Sequence, residues 1–376
     1  MKYLITIILL IIFTTGCSKV QNVSYTSTET KNYKKQIQVN KKLDSVVEQQ
    51  SIIEQITNDS SVFVKNNSLV LVFPSHEIGK YAIEASNTIN AFLLWQGKET
   101  QLSTYDIKYQ DRDNIIGIFE KIKSNNITKV ILMITSEHVE SIENIKLDKK
   151  MTVYLPLVNK NDIKDISLDP KMDIIYAAID YDSQINQLVS YIPNKQIVHF
   201  YDNNKLGHYL RMKMRKIDTV YDKKVDNNNG DYDRFLKKNN MMYGSSVFLN
   251  TAIIKSSILL SQFRAFELEV SNVLSTQLNY NRSILSLTQK KDRQNMIVAS
   301  SIGYIPEEIL QYSQLAGNDL EFNWVNYSIL IGTYYLTNKN IDIFTDVKLE
   351  KNSIVYPVYL YKVGDSSFKR IKSQNF

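Results

Sequence analysis

The sequence contains very little cysteine and histidine, and these shortages exclude two classes of site. Cys17 is the one cysteine in 376 residues, so the chain can form neither an internal disulfide nor a metal site built from several cysteines. The four histidines are His76, His138, His199 and His208, and no two of them have the His-x-x-x-His spacing of a helical metal site. We therefore expect no metal, and in particular no structural zinc.

The sequence also lacks the short motifs of nucleotide binding and nucleophilic catalysis. It has no Gly-x-x-x-x-Gly-Lys-Ser/Thr phosphate loop, no Gly-x-Gly-x-x-Gly run and no Gly-x-Ser-x-Gly elbow. Carboxylate pairs occur at Asp111 with Asp113 and at Glu307 with Glu308, but nothing in the pattern places either pair across a pocket. We expect no cofactor and no enzymatic activity.

The charges are numerous but evenly scattered. Lysine and arginine total 45 against 39 acidic residues, which gives a net charge of +6, and no arginine-rich stripe stands out. Nucleic acid is therefore not an expected partner. A hydrophobic fraction of 43% and a charged fraction of 22% are typical of globular proteins with a sizeable core, and the length suits about two domains.

The first seventeen residues have the features of a targeting segment. Lys2 supplies a positive start, residues 3–13 are mainly apolar, and small residues precede Cys17. The apolar stretch is too short to span a bilayer but suits a signal peptide, which we assign to residues 1–16. The position of Cys17 resembles the lipobox of bacterial lipoproteins, where the thiol carries fatty acyl chains such as palmitate. Ser18 after it resembles the signal for sorting to the outer membrane, facing the periplasm. The alternative is an ordinary secretory signal with an incidental cysteine.

Residues 17–67 form a predicted tether. They are rich in Asn, Gln, Ser, Thr and Lys, as flexible segments are. Within them, apolar residues recur at three- and four-residue spacing between Leu43 and Ile56, which predicts an amphipathic helix around 36–57. This helix either packs on the domain or spaces it from the membrane; the alternative is a short coiled coil or partner-binding helix.

From residue 68 the pattern alternates between short apolar runs and helical periodicity. Residues 69–73 are a continuous apolar strand, Pro74 ends it, and a helix follows Gly79. Repeats of this unit predict parallel sheets flanked by helices, an α/β fold. We expect one lobe from 68–179 together with 297–376, and a second lobe from 180–296. Short antiparallel strands are predicted within 347–371.

Four stretches carry a resemblance to a known fold. Residues 70–79, 129–136, 153–159 and 195–207 resemble, in this order, strands and strand-end loops of the type I periplasmic binding proteins. This resemblance implies a two-lobed α/β fold whose ligand cleft lies at the carboxyl ends of the strands.

Seven polar residues at predicted strand ends are candidate ligand-binding residues. They are Ser75, Thr135, Ser136, Tyr181, Tyr201, Gln277 and Asn279. Ser75 could bind an anion at a helix N-terminus, and Thr135 and Ser136 could reach a ligand carboxylate or amide. Each residue also has a plainer interpretation, as a helix cap, a buried tyrosine or a loop-stabilising amide.

Two functions remain open at this point. Anchoring by lipid at the outer membrane makes the chain resemble the C-terminal domain of penicillin-binding protein activator lipoproteins, although the activators' helical N-terminal domain has no counterpart in 18–67. That resemblance implies recognition of another envelope protein, such as a peptidoglycan synthase or a trans-envelope machine. The alternative is a solute receptor that closes its two lobes on a small molecule.

Overall fold

The computed structural model describes residues 68–192, 196–226, 232–237 and 239–372. The predicted signal peptide, the tether with its amphipathic helix, and Cys17 lie outside these residues.

The first half of the described chain alternates strands and helices. In chain order its elements are β1 (Ser68–Phe73), α1 (Ser75–Ile78), α2 (Lys80–Gln96), β2 (Gln101–Asp106), α3 (Arg112–Ser124), β3 (Lys129–Leu132), the 3₁₀ helix Ser136–Ile142, β4 (Met151–Leu155), the 3₁₀ helix Lys160–Asp162, β5 (Met172–Tyr176) and α4 (Tyr181–Tyr191).

The second half begins in the same way and ends in short strands. Its elements are β6 (Ile197–Asp202), α5 (Lys205–Met214), β7 (Thr219–Val225), α6 (Asp233–Leu236), the 3₁₀ helix Asn240–Met242, β8 (Ser246–Asn250), α7 (Ile253–Ala265), β9 (Asn272–Ser275), the 3₁₀ helix Gln277–Asn279, α8 (Ser283–Leu287), β10 (Met296–Ser300), α9 (Glu307–Leu315), α10 (Trp324–Asn338), β11 (Lys348–Glu350), β12 (Ser353–Val355), β13 (Tyr359–Val363) and β14 (Phe368–Arg370).

These strands form two sheets of seven, each the centre of one lobe. The first has the order β11-β12-β5-β4-β3-β1-β2 and the second β14-β13-β10-β9-β8-β6-β7. Pairing is parallel throughout the central strands, and antiparallel only where β11 meets β12, β10 meets β13 and β13 meets β14. The predicted two-lobed α/β architecture with parallel sheets and flanking helices is therefore confirmed.

The central strands are continuous apolar runs because helices cover both faces of each sheet. Leu69 and Leu71 face one side, against α2 and α10, whereas Val70 and Val72 face the other, against α3. The helix α10 is buried along nearly its whole length. Gly332 in α10 lets the helix lie directly on the ring of Tyr154 in β4, because a Cβ there would overlap that ring.

The last third of the chain is divided between the lobes, which corrects the assignment of 297–376 to the first lobe alone. The strands β11 and β12 join the first sheet, whereas β10, β13 and β14 belong to the second. The helices α9 and α10 return to the first lobe and pack against α2. The main chain thus passes between the lobes three times, at 177–181, 300–307 and 356–359. The reason is strand pairing: β10 pairs with β9 in parallel, which places it in the second sheet.

Candidate functional site

A cleft lies between the lobes, at the carboxyl ends of strands from both sheets, where ligands bind in open parallel sheets. Its volume is about 350 Å³, at the small end of ligand pockets. It is lined by Thr135, Ser136, Glu137, Leu157, Asp162, Ala178, Ile179, Tyr181, Lys205, Leu206, Tyr209, Trp324 and Val325. Most of these side chains are aliphatic or aromatic.

The second lobe contributes α5 to the cleft wall. Asn204 caps this helix, with its side-chain oxygen accepting from the backbone N–H of Gly207 at 2.7 Å. Gly207 is in contact with the backbone of Asp202, so a Cβ at this position would overlap that strand end. This close approach brings Lys205 and Tyr209 of α5 to the cleft.

Asp162, in the loop after β4, links the first lobe to α5 of the second. Its carboxylate accepts from the hydroxyl of Tyr209 at 2.5 Å and from Nζ of Lys213 at 2.5 Å. Lys213 also bonds Asp182 at 2.8 Å. At the outer rim, Lys205 pairs with Glu137 of the first lobe at 3.4 Å. Charged contacts therefore bridge the lobes on two sides of the cleft.

The charges of this bridge are mutually stabilised. Burial disfavours the charged form of Lys213, but its bonds to Asp162 and Asp182 outweigh that effect and raise its pKa. Partial burial likewise opposes ionisation of Asp182, yet Lys213 and Lys216 lower its pKa overall. Burial and the adjacent Asp162 carboxylate raise the pKa of Tyr209, so its hydroxyl stays protonated and remains a donor.

Aromatic rings make up much of the cleft interior. Tyr181 and Tyr209 pack edge to face with centroids 6.0 Å apart. Trp324 begins α10 on the opposite wall, and its indole Nε1 is buried without a hydrogen-bond acceptor among the described residues. Burial raises the pKa of Tyr181. Such rings offer broad apolar contact at little conformational cost.

The seven residues predicted from the sequence do not converge on one site. Thr135, Ser136 and Tyr181 line the cleft. Ser75 is not a helix N-cap: Pro74 holds that position, and the backbone N–H and hydroxyl of Ser75 both donate to Asp106, at 3.0 and 2.7 Å. These bonds and one from Lys108 outweigh partial burial and hold the pKa of Asp106 well below its usual value.

The hydrogen-bond donors of Thr135 are also used within its own lobe. Its backbone N–H and its hydroxyl donate to Oε1 of Gln110, at 2.7 and 3.2 Å. Gln110 is 3% exposed and is held by Glu77, whose two carboxylate oxygens accept from the backbone N–H and Nε2 of Gln110 at 2.7 Å each. Thr135 is the N-cap of the 3₁₀ helix but makes no side-chain cap bond.

The three remaining candidates lie in the interior of the second lobe. Tyr201 is buried and stacks on His199 with centroids 5.5 Å apart. Gln277 bonds Gln184 and Ser301, and Asn279 donates to backbone oxygens at the end of β8 and just after it. None of Tyr201, Gln277 and Asn279 belongs to the residues that line the cleft.

Half of the ten lining residues outside the predicted set come from α5 and from the segment after β4. Lys205, Leu206 and Tyr209 occupy the first turns of the helix that follows β6. They could have been predicted from their position, because α5 follows β6 and ligands of parallel sheets bind beyond the carboxyl ends of the strands. Asp162 has no such signal, because it ends a short 3₁₀ helix several residues beyond the end of β4.

The described residues hold no group of three or more His, Cys, Asp and Glu side chains that could bind a metal. Within the same ranges, none of the helices combines the length and apolarity needed to cross a bilayer.

Solved structures share this fold, although no family model and no curated protein matches the sequence. A branched-chain amino acid transporter substrate-binding protein from Streptococcus pneumoniae, in complex with isoleucine, matches with a TM-score of 0.54 and 12% identity, covering 82% of this chain and 100% of its own. A transporter substrate-binding protein from Sphaerobacter thermophilus gives 0.59 and 12%, covering 81% and 96%. A solute-binding protein from Rhodopseudomonas palustris, in complex with 3,4-dihydroxybenzoic acid, gives 0.56 and 12%, covering 81% and 96%.

Proposed function

We propose that this chain, whose fold is that of the type I periplasmic binding proteins, is a solute-binding protein that holds a small molecule between its lobes without transforming it. The observation that carries the proposal is the apolar cleft itself. It is lined from both lobes and closed at its rim by contacts that join them. Such a cleft can bury most of a small ligand's surface.

The solved neighbours support this function over recognition of an envelope protein. Those from Streptococcus pneumoniae and Rhodopseudomonas palustris are described as substrate- or solute-binding proteins and carry isoleucine and 3,4-dihydroxybenzoic acid. At 12% identity they support the fold and leave the ligand of this chain open.

Recognition of an envelope protein, such as a peptidoglycan synthase or a trans-envelope machine, is the second candidate. The observation that favours it is the internal pairing of the donors at Ser75 and Thr135, which reduces the polar groups available to a solute. In that case the fold would serve as a scaffold for a protein partner and not as a receptor for a solute.

Attachment through Cys17 is a separate part of the proposal. Acyl chains on this thiol would hold the protein at the outer membrane, facing the periplasm, and two or more chains are needed for durable attachment. Cys17→Ala should abolish incorporation of labelled palmitate and release the protein into the soluble periplasmic fraction. Equal labelling of the two forms would contradict attachment at this residue.

Thermal denaturation with a broad panel of metabolites tests the binding function. A ligand present at 100 times its dissociation constant stabilises the folded state by about 2.7 kcal/mol, which raises the melting temperature by several degrees. Leu206→Asp, which places a charge in the cleft, should abolish that shift. Leu315→Asp is the matched control, because Leu315 is 57% exposed and does not line the cleft. Crosslinking in intact cells that captures an envelope protein, with no stabilising metabolite, would favour the second candidate.

A further inference from the structure

We infer that the interlobe cleft selects uncharged, largely apolar molecules and rejects ligands that present a free carboxylate. This inference rests on the proposed binding function and specifies its ligand class. Three features of the first lobe and of the cleft wall carry it.

The first feature is the internal use of the donors that an anion would need. A ligand carboxylate at the end of β3 would bind the backbone N–H and hydroxyl of Thr135, but Oε1 of Gln110 already accepts both. Rotation of the Gln110 side chain away from Thr135 would cost considerable free energy. It is buried, and two bonds of 2.7 Å to Glu77 fix its backbone and its amide.

The same arrangement recurs at the end of the neighbouring strand. The backbone N–H and the hydroxyl of Ser75 are taken by the carboxylate of Asp106. Asp106 is held ionised by these bonds and by Lys108. Ser75 lies outside the residues that line the cleft, and its donors are likewise unavailable to an anion at this edge of the sheet.

The second feature is the pairing of the charges that line the cleft. Glu137 pairs with Lys205 at the rim, and Asp162 bonds both Tyr209 and Lys213. Of the described residues lining the cleft, none is arginine, the residue best suited to bidentate recognition of a carboxylate. A carboxylate would have to compete with Glu137 for Lys205 or rely on the neutral donors of Ser136 and Trp324. A charge buried without a charged partner is strongly unfavourable.

The third feature is the chemistry of the remaining surface. Leu157, Ile179, Leu206 and Val325 provide aliphatic contact, and the rings of Tyr181, Tyr209 and Trp324 complete the wall. Contact with these groups favours an apolar or aromatic body of modest size. Polar recognition would be limited to uncharged groups such as an amide or a hydroxyl.

Matched pairs of amides and carboxylates test this inference, because the two members of a pair have nearly the same shape. The probes are indole-3-acetamide with indole-3-acetate, 4-hydroxybenzamide with 4-hydroxybenzoate, and isovaleramide with isovalerate. Their dissociation constants are measured by calorimetry on the full chain at pH 7.5. We expect every amide that binds to do so at least tenfold more tightly than its carboxylate. Equal or tighter binding of the carboxylates would overturn the inference and leave the binding function intact.

A variant of Gln110 provides a second test of the inference. Gln110→Ala combined with Glu77→Gln frees the backbone N–H and hydroxyl of Thr135 without leaving an unpaired carboxylate beside them. This double variant should improve binding of the carboxylate probes at least fivefold while changing amide binding less than twofold. Glu77→Gln alone is the matched control, since it removes the same charge and leaves Gln110 against Thr135. Circular dichroism and melting curves establish that each variant is folded. If the double variant does not fold, the wild-type comparison of amides with carboxylates decides the question alone. Failure of all probes and of the metabolite panel to bind would remove the binding function, and this inference with it.

Discussion

Asp162 and Lys213 form an ion pair across the lobes, with 2.5 Å between Oδ1 and Nζ and with both side chains almost buried. Asp162 belongs to the loop after β4 and Lys213 to α5, so the pair joins segments that are 51 residues apart in the chain. Removing one partner of such a pair costs more than breaking a surface salt bridge, because the remaining charge is left almost buried.

Asp162→Asn should therefore loosen the contact between the lobes. We expect a loss of about 1–3 kcal/mol in the free energy of unfolding, because Lys213 keeps Asp182 as a partner but loses its charged bond to Asp162. Small-angle scattering should show a larger radius of gyration. Asp165→Asn is the control, since Asp165 is fully exposed and pairs with Lys160 of its own lobe. An unchanged radius and stability in Asp162→Asn would contradict a bridging role.

Gly207 is required for the close packing of α5 on the end of β6. Gly207→Ala should cost at least about 2 kcal/mol of stability, because the added Cβ overlaps the backbone of Asp202, which cannot move independently of the sheet. Gly117→Ala, in α3, is the matched control. Nothing lies within 4 Å of a Cβ there, and the exchange should stabilise the helix by about 0.5–1 kcal/mol. Urea denaturation measures both, and equal effects of the two substitutions would refute this account.

The stability of the second lobe should decrease in mild acid through His199. This side chain is fully buried, donates from Nδ1 to Asp222 at 2.9 Å and accepts at Nε2 from Asn250 at 3.1 Å. Burial lowers its pKa, although Asp222 acts in the opposite direction and Arg211, on the far side of Asp222, reinforces the lowering. The folded state thus binds a proton less readily than the unfolded state.

Because the unfolded imidazole titrates near pH 6.5, the contribution of His199 is fully present above that pH and is lost as the pH falls below it, by at most about 1.4 kcal/mol per pH unit. Denaturation by urea between pH 7.5 and 5.0 measures this slope. His199→Gln should flatten it, whereas His208→Gln, at an exposed position, should not. A slope unaffected by His199→Gln would assign the acid sensitivity to other groups.

Gln184 links α4 to the segments that follow β9 and β10. Its Nε2 donates to Ser301 at 2.8 Å and its Oε1 accepts from the backbone N–H of Gln277 at 2.8 Å. Gln184→Leu should cost about 2–4 kcal/mol, because two buried polar groups lose their partners. Asn186→Leu, on the exposed side of the same helix, should change stability by less than about 0.5 kcal/mol. Chemical denaturation of both variants checks the difference, and a loss of similar size in both would argue against the bonds of Gln184.

The sequence predicted the strands of the sheets well because these strands are short apolar runs between turn residues. Residues 69–73 and 129–132 are examples, since burial on both faces leaves little choice of side chain. Sheet membership in the last third was harder to predict. The strand β10 is a buried run of five residues and β12 has only three, but neither pattern names a partner. Pairing with β9 and with β5 assigns them to different sheets.

The candidate site was predictable only in part, for a related reason. Ser75 and Thr135 were correctly placed at strand ends, but their availability depends on residues far away in the chain. Asp106 lies 31 positions from Ser75, and Gln110 lies 25 positions from Thr135. No local pattern in one sequence reports that such partners meet, so the internal occupation of these donors is visible only in the structure.

The division of the last four strands between the two sheets has a consequence for biosynthesis. The edge strands β11 and β12 of the first sheet, and β13 and β14 of the second, come from residues 348–370. A ribosome must therefore deliver the chain as far as residue 370 before β5 and β10 gain all their outer neighbours. Until then both edges expose unpaired backbone groups, which are templates for wrong association. Nascent chains stalled before residue 348 should consequently depend on holdase chaperones far more than chains extended beyond residue 370.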